Sequence, residues 1–192
     1  MSTDKLRAYR EKRDFKRTPE PTGRRKRASR KPRFVVQEHH ARALHWDFRL
    51  EVGGVLASWA VPKGPSLNPT DKRMAMRTED HPLEYVDFEG VIPEGEYGAG
   101  EMIVWDRGPY RNMTERHGKE VPIEDALERG HMTVWLEGDK LSGAFALTRI
   151  ATGKHERWLF VKKADEKADR RRNVVKSAPR SVISGRTAAQ LA

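Results

Sequence analysis

Residues 44–61 read LHWDFRLEVGGVLASWAV, and this stretch decides the fold. Apolar and polar side chains alternate with a period of two over residues 44–52, and residues 55–61 form a second apolar run, so we predict a strand in each. Only Gly53 and Gly54 separate them, and such a pair is typical of a two-residue hairpin turn. The stretch therefore predicts an antiparallel β-hairpin with one half-polar strand.

Short strand patterns recur on both sides of this hairpin. Between residues 33 and 163 only residues 123–129, closed by Gly130, show a helical pattern. Nearer the N-terminus, a cap at residues 2–4 predicts a short helix toward Arg13. Many short strands with so few helices predict an antiparallel barrel or sandwich. The other predicted strands are 33–38, 72–78, 85–90, 99–106, 131–137, 143–150 and 157–163.

The composition excludes several classes of protein. The chain has 192 residues and no cysteine, which excludes a disulfide scaffold, a thiolate metal site and a cysteine nucleophile. Its first ten residues are polar and charged, unlike a secretory signal. The longest mainly apolar run, at 55–61, is far too short to cross a bilayer. We therefore expect a soluble, cytoplasmic protein with no membrane partner.

The formal charge of +10 is unevenly distributed along the chain. Residues 1–33 carry 14 Lys and Arg against four Asp and Glu, and residues 162–192 carry nine against three, so the part between them is net acidic. An acidic body between two basic arms is typical of a protein that meets a polyanion, although a basic terminus is often only a solvated tail. The basic clusters at 24–27 and 170–172 favour nucleic acid.

The first predicted strand of the hairpin carries residue types suited to metal and phosphate chemistry. Because side chains alternate between faces, His45, Asp47 and Arg49 share one face. An imidazole beside a carboxylate suits manganese, iron or zinc, and His39 supplies a third ligand if residues 40–43 turn the chain back. Arg49 adds a fork of donors matched to phosphate or carboxylate. The pattern predicts a metal-bound phosphate site, whereas the plainer interpretation is a polar face turned to water.

His81 is a second candidate for acid–base chemistry. It lies beside acidic residues, precedes Pro82 and is followed four residues later by Tyr85, so it is a candidate acid or transition-state stabiliser in phosphoryl transfer; otherwise it is a surface histidine. The glycine-rich PEGEYGAG at 93–100 lacks a lysine and a strand-to-helix context, so we interpret it as a turn. The five tryptophans all fall in predicted strands, where core packing is the expected use.

Six separated motifs follow one another in order along the chain. They are KRDF at 12–15, TPEP at 18–21, FVVQEHH at 34–40, LHWDFRL at 44–50, HPLEY at 81–85 and PEGEYGAG at 93–100. Together they resemble the 3′-phosphoesterase domain of bacterial DNA ligase D, and the resemblance covers roughly residues 5–163.

The resemblance implies a fold and a chemistry. The fold is mainly β: a compact antiparallel β-barrel of about eight or nine short strands, with one or two short helices and basic terminal arms. Residues 1–33 become a basic arm with a short helix, 34–163 the barrel and 164–192 a basic flexible tail or linker. The chemistry depends on Mn²⁺, with other divalent transition metals as substitutes. It removes a 3′-terminal ribonucleoside and then the 3′-phosphate from DNA or RNA-tailed DNA, leaving a 3′-hydroxyl.

The resemblance also implies roles for individual residues. The implied metal ligands are His39, His45 and Asp47. The implied catalytic residues, which contact the scissile phosphate or assist there, are Arg49, His81 and Tyr85. The resemblance assigns a third set of residues less firmly, and these are expected to position the substrate: Arg13, Asp14, Glu20, Gln37, Arg73 and Glu79.

The family fuses this domain to polymerase and ligase domains. The implied partners are therefore DNA 3′ ends together with ligase, polymerase and Ku-type end-joining proteins, fused or in trans, in the nucleoid region of the cytoplasm. Residues 180–186 resemble the linker that follows the domain. We interpret the chain as either an excised domain or a stand-alone version.

Two other functions stay open on the residues alone. A non-haem iron oxygenase would use His45 and Asp47 with His81 or a later histidine. Against it, the 2-oxoglutarate branch calls for an arginine about ten residues beyond the distal histidine, and position 91 is Val91. A non-catalytic nucleic-acid-binding module would act through its arms alone, with salt-sensitive affinity that depends on residues 22–33 and 170–180.

Overall fold

The computed structural model describes residues 4–24 and 30–192. Residues 2–3 of the predicted helix cap and 25–27 of the first basic cluster lie outside the described residues. The helices are α1 (Arg7–Glu11), α2 (Ile123–Arg129) and α3 (Val174–Ser177), with 3₁₀ turns at Leu83–Asp87 and Ala188–Gln190. No helix in the described part of the chain is long and apolar enough to cross a membrane. The strands are β1 (Arg33–His40), β2 (Leu44–Val52), β3 (Val55–Val61), β4 (Arg73–His81), β5 (Gly90–Ile92), β6 (Gly100–Asn112), β7 (Glu115–Arg116), β8 (Lys119–Glu120), β9 (His131–Glu137), β10 (Ser142–Ala151) and β11 (Arg157–Lys162).

Eight of these strands close into an antiparallel barrel. They are hydrogen-bonded in the order β1-β2-β3-β4-β11-β10-β9-β6, and β6 returns to pair with β1. Strand β5 adds a ninth strand along β6, while β7 and β8 form a separate two-stranded ribbon. The predicted mainly β, antiparallel barrel of eight or nine strands is thus confirmed. Closure matters for the site because it removes free sheet edges and gives β1, β2 and β3 a fixed curvature.

The hairpin that decides the fold has the predicted bounds. All seven residues of β3 pair with β2. Gly53 and Gly54 both have positive φ, 59° and 83°, as a type I′ turn requires. The turn fixes the register, and the register decides which side chains of β2 face the interior.

Alternate residues from all eight strands fill the barrel interior. In β2 the inward residues are Trp46, Phe48, Leu50 and Val52, and Phe48 stacks on Phe160 of β11 with 4.5 Å between ring centroids. This apolar core holds the wall that carries the candidate site. The tryptophans buried in it, as predicted, are Trp46, Trp59, Trp105 and Trp158, and Trp135 is half-buried.

The predicted strand over residues 85–90 is wrong. Leu83–Asp87 forms a 3₁₀ turn after Pro82, with the Tyr85 amide donating to the Pro82 carbonyl at 2.9 Å and the Phe88 amide to Tyr85 at 3.0 Å. A short apolar run is ambiguous between strand and turn on periodicity alone. Strands β4 and β6 also run further than predicted, and the β7–β8 ribbon was missed because its four residues are all charged.

The segment before β1 packs on the outside of the barrel. Helix α1 is shorter than predicted, and the Asp4 carboxylate near its start accepts from the Leu6 amide at 3.1 Å. Tyr9 of α1 is fully buried in a second apolar cluster with Val35 of β1 and Tyr85. Because this cluster lies on the outer face of the sheet, part of the predicted basic arm is a layer over the barrel.

The segment after β11 also packs on the barrel, although we predicted a flexible tail. Val174 and Ala188 are buried. The Trp105 indole donates to the Ala178 carbonyl at 2.7 Å, and the Val182 amide donates to a β6 carbonyl at 2.9 Å. Composition did not reveal these contacts because single apolar anchors are separated by basic residues. The division of the chain into three parts stays a prediction.

Candidate metal centre

The candidate site lies on the outer face of the barrel, where β1, β2 and β3 run side by side. Asp47 and Arg49 point outward from β2, opposite Trp46 and Phe48, as the period-two pattern predicts. They are nevertheless buried, because the N-terminal segment and the loop at residues 93–99 form walls above the sheet. The walls leave a cleft of about 950 Å³. The polar face of β2 is therefore not a solvated surface.

Three possible metal ligands converge in this cleft. His39, near the end of β1, is paired with His45, near the start of β2, and Asp47 follows on the same face. His39 Nδ1 lies 3.4 Å from one Asp47 oxygen, and His45 Nε2 lies 3.4 Å from the other. One ligand atom from each residue lies within 4.8 Å of the other two. The structure thus brings together the three side chains that the sequence analysis singled out as ligands.

Backbone carbonyls fix which ring nitrogen of each histidine faces Asp47. His39 Nε2 donates to the Gly98 carbonyl at 2.7 Å and His45 Nδ1 to the Ala43 carbonyl at 3.0 Å, because a carbonyl oxygen only accepts. In the neutral rings the remaining nitrogens are acceptors, and both face a carboxylate, which also only accepts. Acceptors turned toward one another repel unless a cation lies between them. These two nitrogens and the carboxylate oxygens therefore fit as ligands of a divalent ion that binds nitrogen and oxygen.

The surrounding charges favour the same conclusion. Burial alone would raise the pKa of Asp47, but the Arg49 guanidinium, 3.3 Å away, and the two imidazoles hold that pKa well below its usual range. Burial also acts to lower the pKa of His45, and the Asp47 carboxylate more than offsets it, so the pKa of His45 is raised. Asp47 is thus an ionised carboxylate that draws a cation, a proton or a metal, toward the imidazoles.

Arg49 has one donor without a partner. Its Nε donates to Gln37 Oε1 at 2.8 Å and its Nη2 lies beside Asp47, while Nη1 is buried and has no hydrogen-bond partner among the described residues. Gln37 is itself fixed, because its amide donates to the carbonyls of Tyr85 and Phe88 at 2.9 Å each. An unpaired buried donor costs about 1–3 kcal/mol. A guanidinium held in this way is suited to an anionic oxygen in the cleft.

A β-bulge brings His81 to the same face of the sheet. Ser58 of β3 pairs with Thr78 of β4, the register then shifts, and Leu56 pairs with His81. Two steps along β3 therefore match three steps along β4, so Thr78 and His81 both line the cleft. Without the bulge, their odd spacing would place them on opposite faces.

His81 is held as a neutral acceptor. Its Nδ1 donates to the Glu79 carbonyl at 2.8 Å, which leaves Nε2 to accept from Arg13 Nη2 at 3.4 Å. Burial and the guanidinium groups of Arg49 and Arg13 lower the pKa of His81 well below its usual range. The iron-oxygenase hypothesis needs a histidine such as His81 as third ligand, but in the described chain the ligand cluster is completed by His39.

Arg13 is the residue through which the N-terminal segment lines the cleft. Its side chain is 4% exposed, with Nε bonded to Glu20 at 2.9 Å and Nη1 3.4 Å from Glu79. The same Glu20 oxygen accepts the Tyr85 hydroxyl at 2.6 Å, and the guanidinium lies 3.9 Å from the centre of the Tyr9 ring. Four of the predicted residues thus form one network, in which Glu20 fixes both Arg13 and Tyr85.

Two predicted substrate contacts lie away from the cleft. Asp14 is exposed, and its carboxylate accepts from the Lys16 amide at 3.0 Å within the turn that follows α1. Arg73, at the start of β4, lies 3.6 Å from Asp71. Neither side chain lines the cleft, so their roles stay predictions from the resemblance.

Some features of the cleft were not predicted. The carbonyls of Ala43 and Gly98 that orient the histidines are backbone groups, which no residue pattern reveals. Tyr97 lines the cleft from the glycine-rich loop, which the sequence analysis interpreted only as a turn. Gly95 and Gly98 do have the positive φ of a tight turn, 88° and 77°. The sequence feature that could have pointed to Tyr97 is an aromatic residue between two glycines of a turn.

Fold and site together define a class: β-barrel proteins with a cluster of two histidines and one carboxylate that could hold a metal, beside an arginine with one unpaired donor, on the barrel's outer wall. Comparison with protein families makes this specific. A model of the DNA ligase D 3′-phosphoesterase domain matches residues 37–149, from β1 into β10. The chain belongs to this family.

The relatives are large end-joining proteins. A multifunctional non-homologous end joining protein LigD from Pseudomonas aeruginosa is 49% identical over 194 residues, which cover 97% of this chain and 22% of the relative. LigD from Mycolicibacterium smegmatis is 44% identical over 165 residues, 85% of this chain and 21% of the relative. The multifunctional non-homologous end joining DNA repair protein LigD of Mycobacterium tuberculosis is 48% identical over 157 residues, 81% of this chain and 19% of the relative. The chain thus spans about a fifth of the length of these relatives.

Proposed function

We propose that the chain is a metal-dependent phosphoesterase that heals the 3′ ends of DNA or RNA-tailed DNA. It removes a 3′-terminal ribonucleoside in a phosphodiesterase step and then the resulting 3′-phosphate in a phosphomonoesterase step, leaving a 3′-hydroxyl that can be ligated. One observation carries the proposal: Arg49, whose Nη1 has no partner among the described residues, lies with its Nη2 3.3 Å from Asp47, one of the three converging ligands His39, His45 and Asp47.

The metal would be held by His39 Nδ1, His45 Nε2 and an oxygen of Asp47. This mixed set of nitrogen and oxygen ligands suits Mn²⁺, with other divalent transition ions as substitutes. When bound, such an ion polarises a phosphate oxygen and offsets its charge. The carbonyls of Gly98 and Ala43 keep the two imidazoles in the tautomers that this binding needs.

The guanidinium groups bind the phosphate. Gln37 and Asp47 hold Nε and Nη2 of Arg49, which leaves the unpaired Nη1 for a phosphate oxygen. Arg13 Nη2 reaches the same part of the cleft, 3.4 Å from His81, and Glu20 and Glu79 keep it there. Donors that are already fixed stabilise the charge that develops on phosphate oxygens in the transition state.

His81 acts as the general acid. A bound phosphate opposes the two guanidinium groups that keep the pKa of His81 low, so its Nε2 gains a proton more readily. It then donates to the phosphate or to the leaving oxygen. In the first step the P–O5′ bond breaks and the 5′-oxygen of the ribonucleoside takes a proton. In the second step water attacks phosphorus, the P–O3′ bond breaks and the 3′-oxygen takes the proton.

The attacking oxygen of the first step is water, which gives the 3′-phosphate directly, or the 2′-hydroxyl of the ribose that carries the scissile phosphate on its 3′-oxygen, which gives a 2′,3′-cyclic phosphate that water then opens to the 3′-phosphate. The hydroxyl would explain a preference for ribonucleotide ends. The choice is tested with two strands that differ only in whether the terminal residues are ribonucleotides or deoxynucleotides. Equal cleavage of both strands would argue against the hydroxyl.

The activity itself is tested with a 5′-labelled strand that ends in a ribonucleotide, incubated with Mn²⁺ or with a chelator. We expect stepwise conversion through a 3′-phosphate to a 3′-hydroxyl with Mn²⁺ and none with the chelator. The matched variant is Arg49→Lys, which keeps the charge but loses the fork, and we expect a loss of about 100- to 1,000-fold. An unchanged strand under all conditions, with tight binding, would instead support the non-catalytic binding module.

The same proposal includes the setting of the reaction. The basic residues of the terminal segments raise affinity for the nucleic-acid backbone without selecting sequence, so affinity falls as salt rises. The chain would act in end joining alongside ligase, polymerase and Ku-type proteins, fused or in trans, at the nucleoid in the cytoplasm. Its similarity to the non-homologous end joining proteins LigD supports this setting.

A further inference from the structure

Tyr97 differs from every other aromatic side chain of the protein. The chain has six Phe, five Trp and four Tyr, all within the described residues, and Tyr97 alone is exposed, at 47%. The hydroxyls of Tyr9, Tyr85 and Tyr110 each donate to a protein acceptor at 2.6 Å. The Tyr97 hydroxyl, among the described residues, has just a 3.4 Å contact with Lys12 Nζ. A large ring left in water has apolar area to offer a ligand.

The exposed ring lies beside the residues that we assign to phosphate binding. Tyr97 lines the cleft, with Lys12 Nζ 4.7 Å and Arg13 Cζ 5.4 Å from its ring centre. Arg13 Nη2 also contacts His81 Nε2 at 3.4 Å. Lys12 and Arg13 are tied together by Glu79, which pairs with both. Tyr97 is thus one side chain away from the phosphate-binding part of the cleft.

The loop holds this ring in place from both sides. On one side, Glu96 forms an ion pair with Arg17 at 3.0 Å. On the other, the Gly98 carbonyl accepts from His39, and Gly98 has φ of 77°. An aromatic side chain on a loop fastened in this way loses little conformational entropy when a ligand covers it. The arrangement suits a contact surface rather than a mobile loop tip.

We infer that Tyr97 stacks on the base of the 3′-terminal nucleotide whose phosphate lies between Arg49 and Arg13. This inference rests on the proposed function and adds a specificity residue to it. Stacking is available to every base because each has a π-face, so Tyr97 favours an end with a base without selecting which one. The neighbouring cations keep the phosphate of the same nucleotide close to the ring.

The test compares two strands that end in a 3′-phosphate, one with adenine on the terminal residue and one with an abasic terminal residue. We expect the wild type with Mn²⁺ to process the first about fivefold to tenfold better in kcat/KM, mainly through KM. Tyr97→Ser should bring the adenine strand down to the abasic strand and leave the abasic strand unchanged. Tyr97→Phe should keep the preference. Ile150→Ser, which removes another exposed apolar side chain (48%) outside the cleft, should also keep it.

A second readout does not depend on turnover. With 2-aminopurine as the terminal base, we expect fluorescence quenching by the wild type and Tyr97→Phe, and none by Tyr97→Ser. Phosphate release without a base preference or quenching would overturn the stacking and leave the proposed function intact. Quenching without phosphate release would support the stacking and overturn the proposed function. If Tyr97→Ser lowered both strands equally, the residue would act on the loop alone and the inference would be wrong.

Discussion

The two faces of strand β2 are buried to the same extent and carry opposite chemistry. Phe48 faces inward at 1% exposure and stacks within the barrel core. Arg49, the next residue, faces outward at 2% exposure, lines the cleft and has one buried donor without a partner among the described residues. Burial alone therefore does not distinguish a core from a site. The inner face is made mainly of apolar groups that pack on one another, and its unpaired donors are the neutral indole nitrogens of Trp46 and Trp59. The outer face instead has acceptors that face one another and a charged donor that lacks a partner among the described residues.

Because of this difference, substitutions on the two faces should affect different properties of the protein. Apolar contacts on the inner face stabilise the barrel, so losing them lowers the free energy of unfolding. The outer face places hydrogen-bond acceptors next to one another and leaves Nη1 of Arg49 without a partner among the described residues. Without a ligand, this arrangement lowers the free energy of unfolding. Substitutions of neighbouring residues should therefore separate function from stability.

The largest effect should come from the ligands. We expect His45→Ala and Asp47→Asn each to abolish metal-dependent phosphate release, by more than the 10- to 100-fold loss typical of an outer-shell partner. The fold should survive, because neither residue packs in the barrel interior. Release of phosphate from a 3′-phosphate strand and the thermal unfolding midpoint measure the two effects. Chelator-treated wild type is the control, and substantial activity in either variant would reject the ligand assignment.

On the inner face, Phe48→Ala should destabilise the protein by about 3–5 kcal/mol, because it leaves a cavity against Phe160. Denaturant titration measures this loss. The fraction that remains folded should bind Mn²⁺ as the wild type does. A variant with wild-type stability and weakened metal binding would contradict the separation of the two faces.

The network behind the cleft should show an intermediate effect. Glu20→Gln removes the charge that fixes Arg13 and Tyr85, and we expect kcat/KM to fall about 10- to 100-fold. Glu11→Gln is the matched control, because Glu11 is exposed and its one ion pair in the described part of the chain is with Arg7, its neighbour on α1. Equal activity of both variants would show that the N-terminal segment does not position the site.

The smallest effect is a difference between two histidines on the outer face. In chelator-treated protein, His45 should be protonated at the ordinary imidazole value of about pH 6.5, whereas His81 should stay neutral. Imidazole chemical shifts measured against pH follow both. Because unfolded His81 takes up a proton near that pH and folded His81 does not, its contribution to stability is lost as the pH falls below it. Protonation of His81 at or above that pH would contradict its assignment as a neutral acceptor.

Local patterns predicted the hairpin and the outward placement of its polar side chains, whereas their role as metal ligands stays a prediction. The period of two in β2 placed Asp47 and Arg49 opposite Phe48, and Gly53-Gly54 set the turn, because both features depend only on neighbouring residues. The same pattern did not show that the polar face is buried. That burial depends on segments distant in sequence, the N-terminal segment and the loop at 93–99.

Other parts of the site depend on irregularities that a sequence pattern does not encode. His81 reaches the cleft through a bulge between β3 and β4, where tertiary packing overrides strict alternation. The tautomer of His39 depends on a backbone carbonyl at Gly98. The role of Glu20 in fixing Arg13 follows only once the folded N-terminal segment covers the barrel.

The most direct test of the account is a crystal structure of the protein grown with Mn²⁺, with anomalous diffraction recorded at the manganese edge. We expect one peak bonded to His39 Nδ1, His45 Nε2 and an Asp47 oxygen, on the cleft side of Arg49. A peak elsewhere, or none in fully soaked crystals, would contradict the claim that the outer face of β2 is a metal centre.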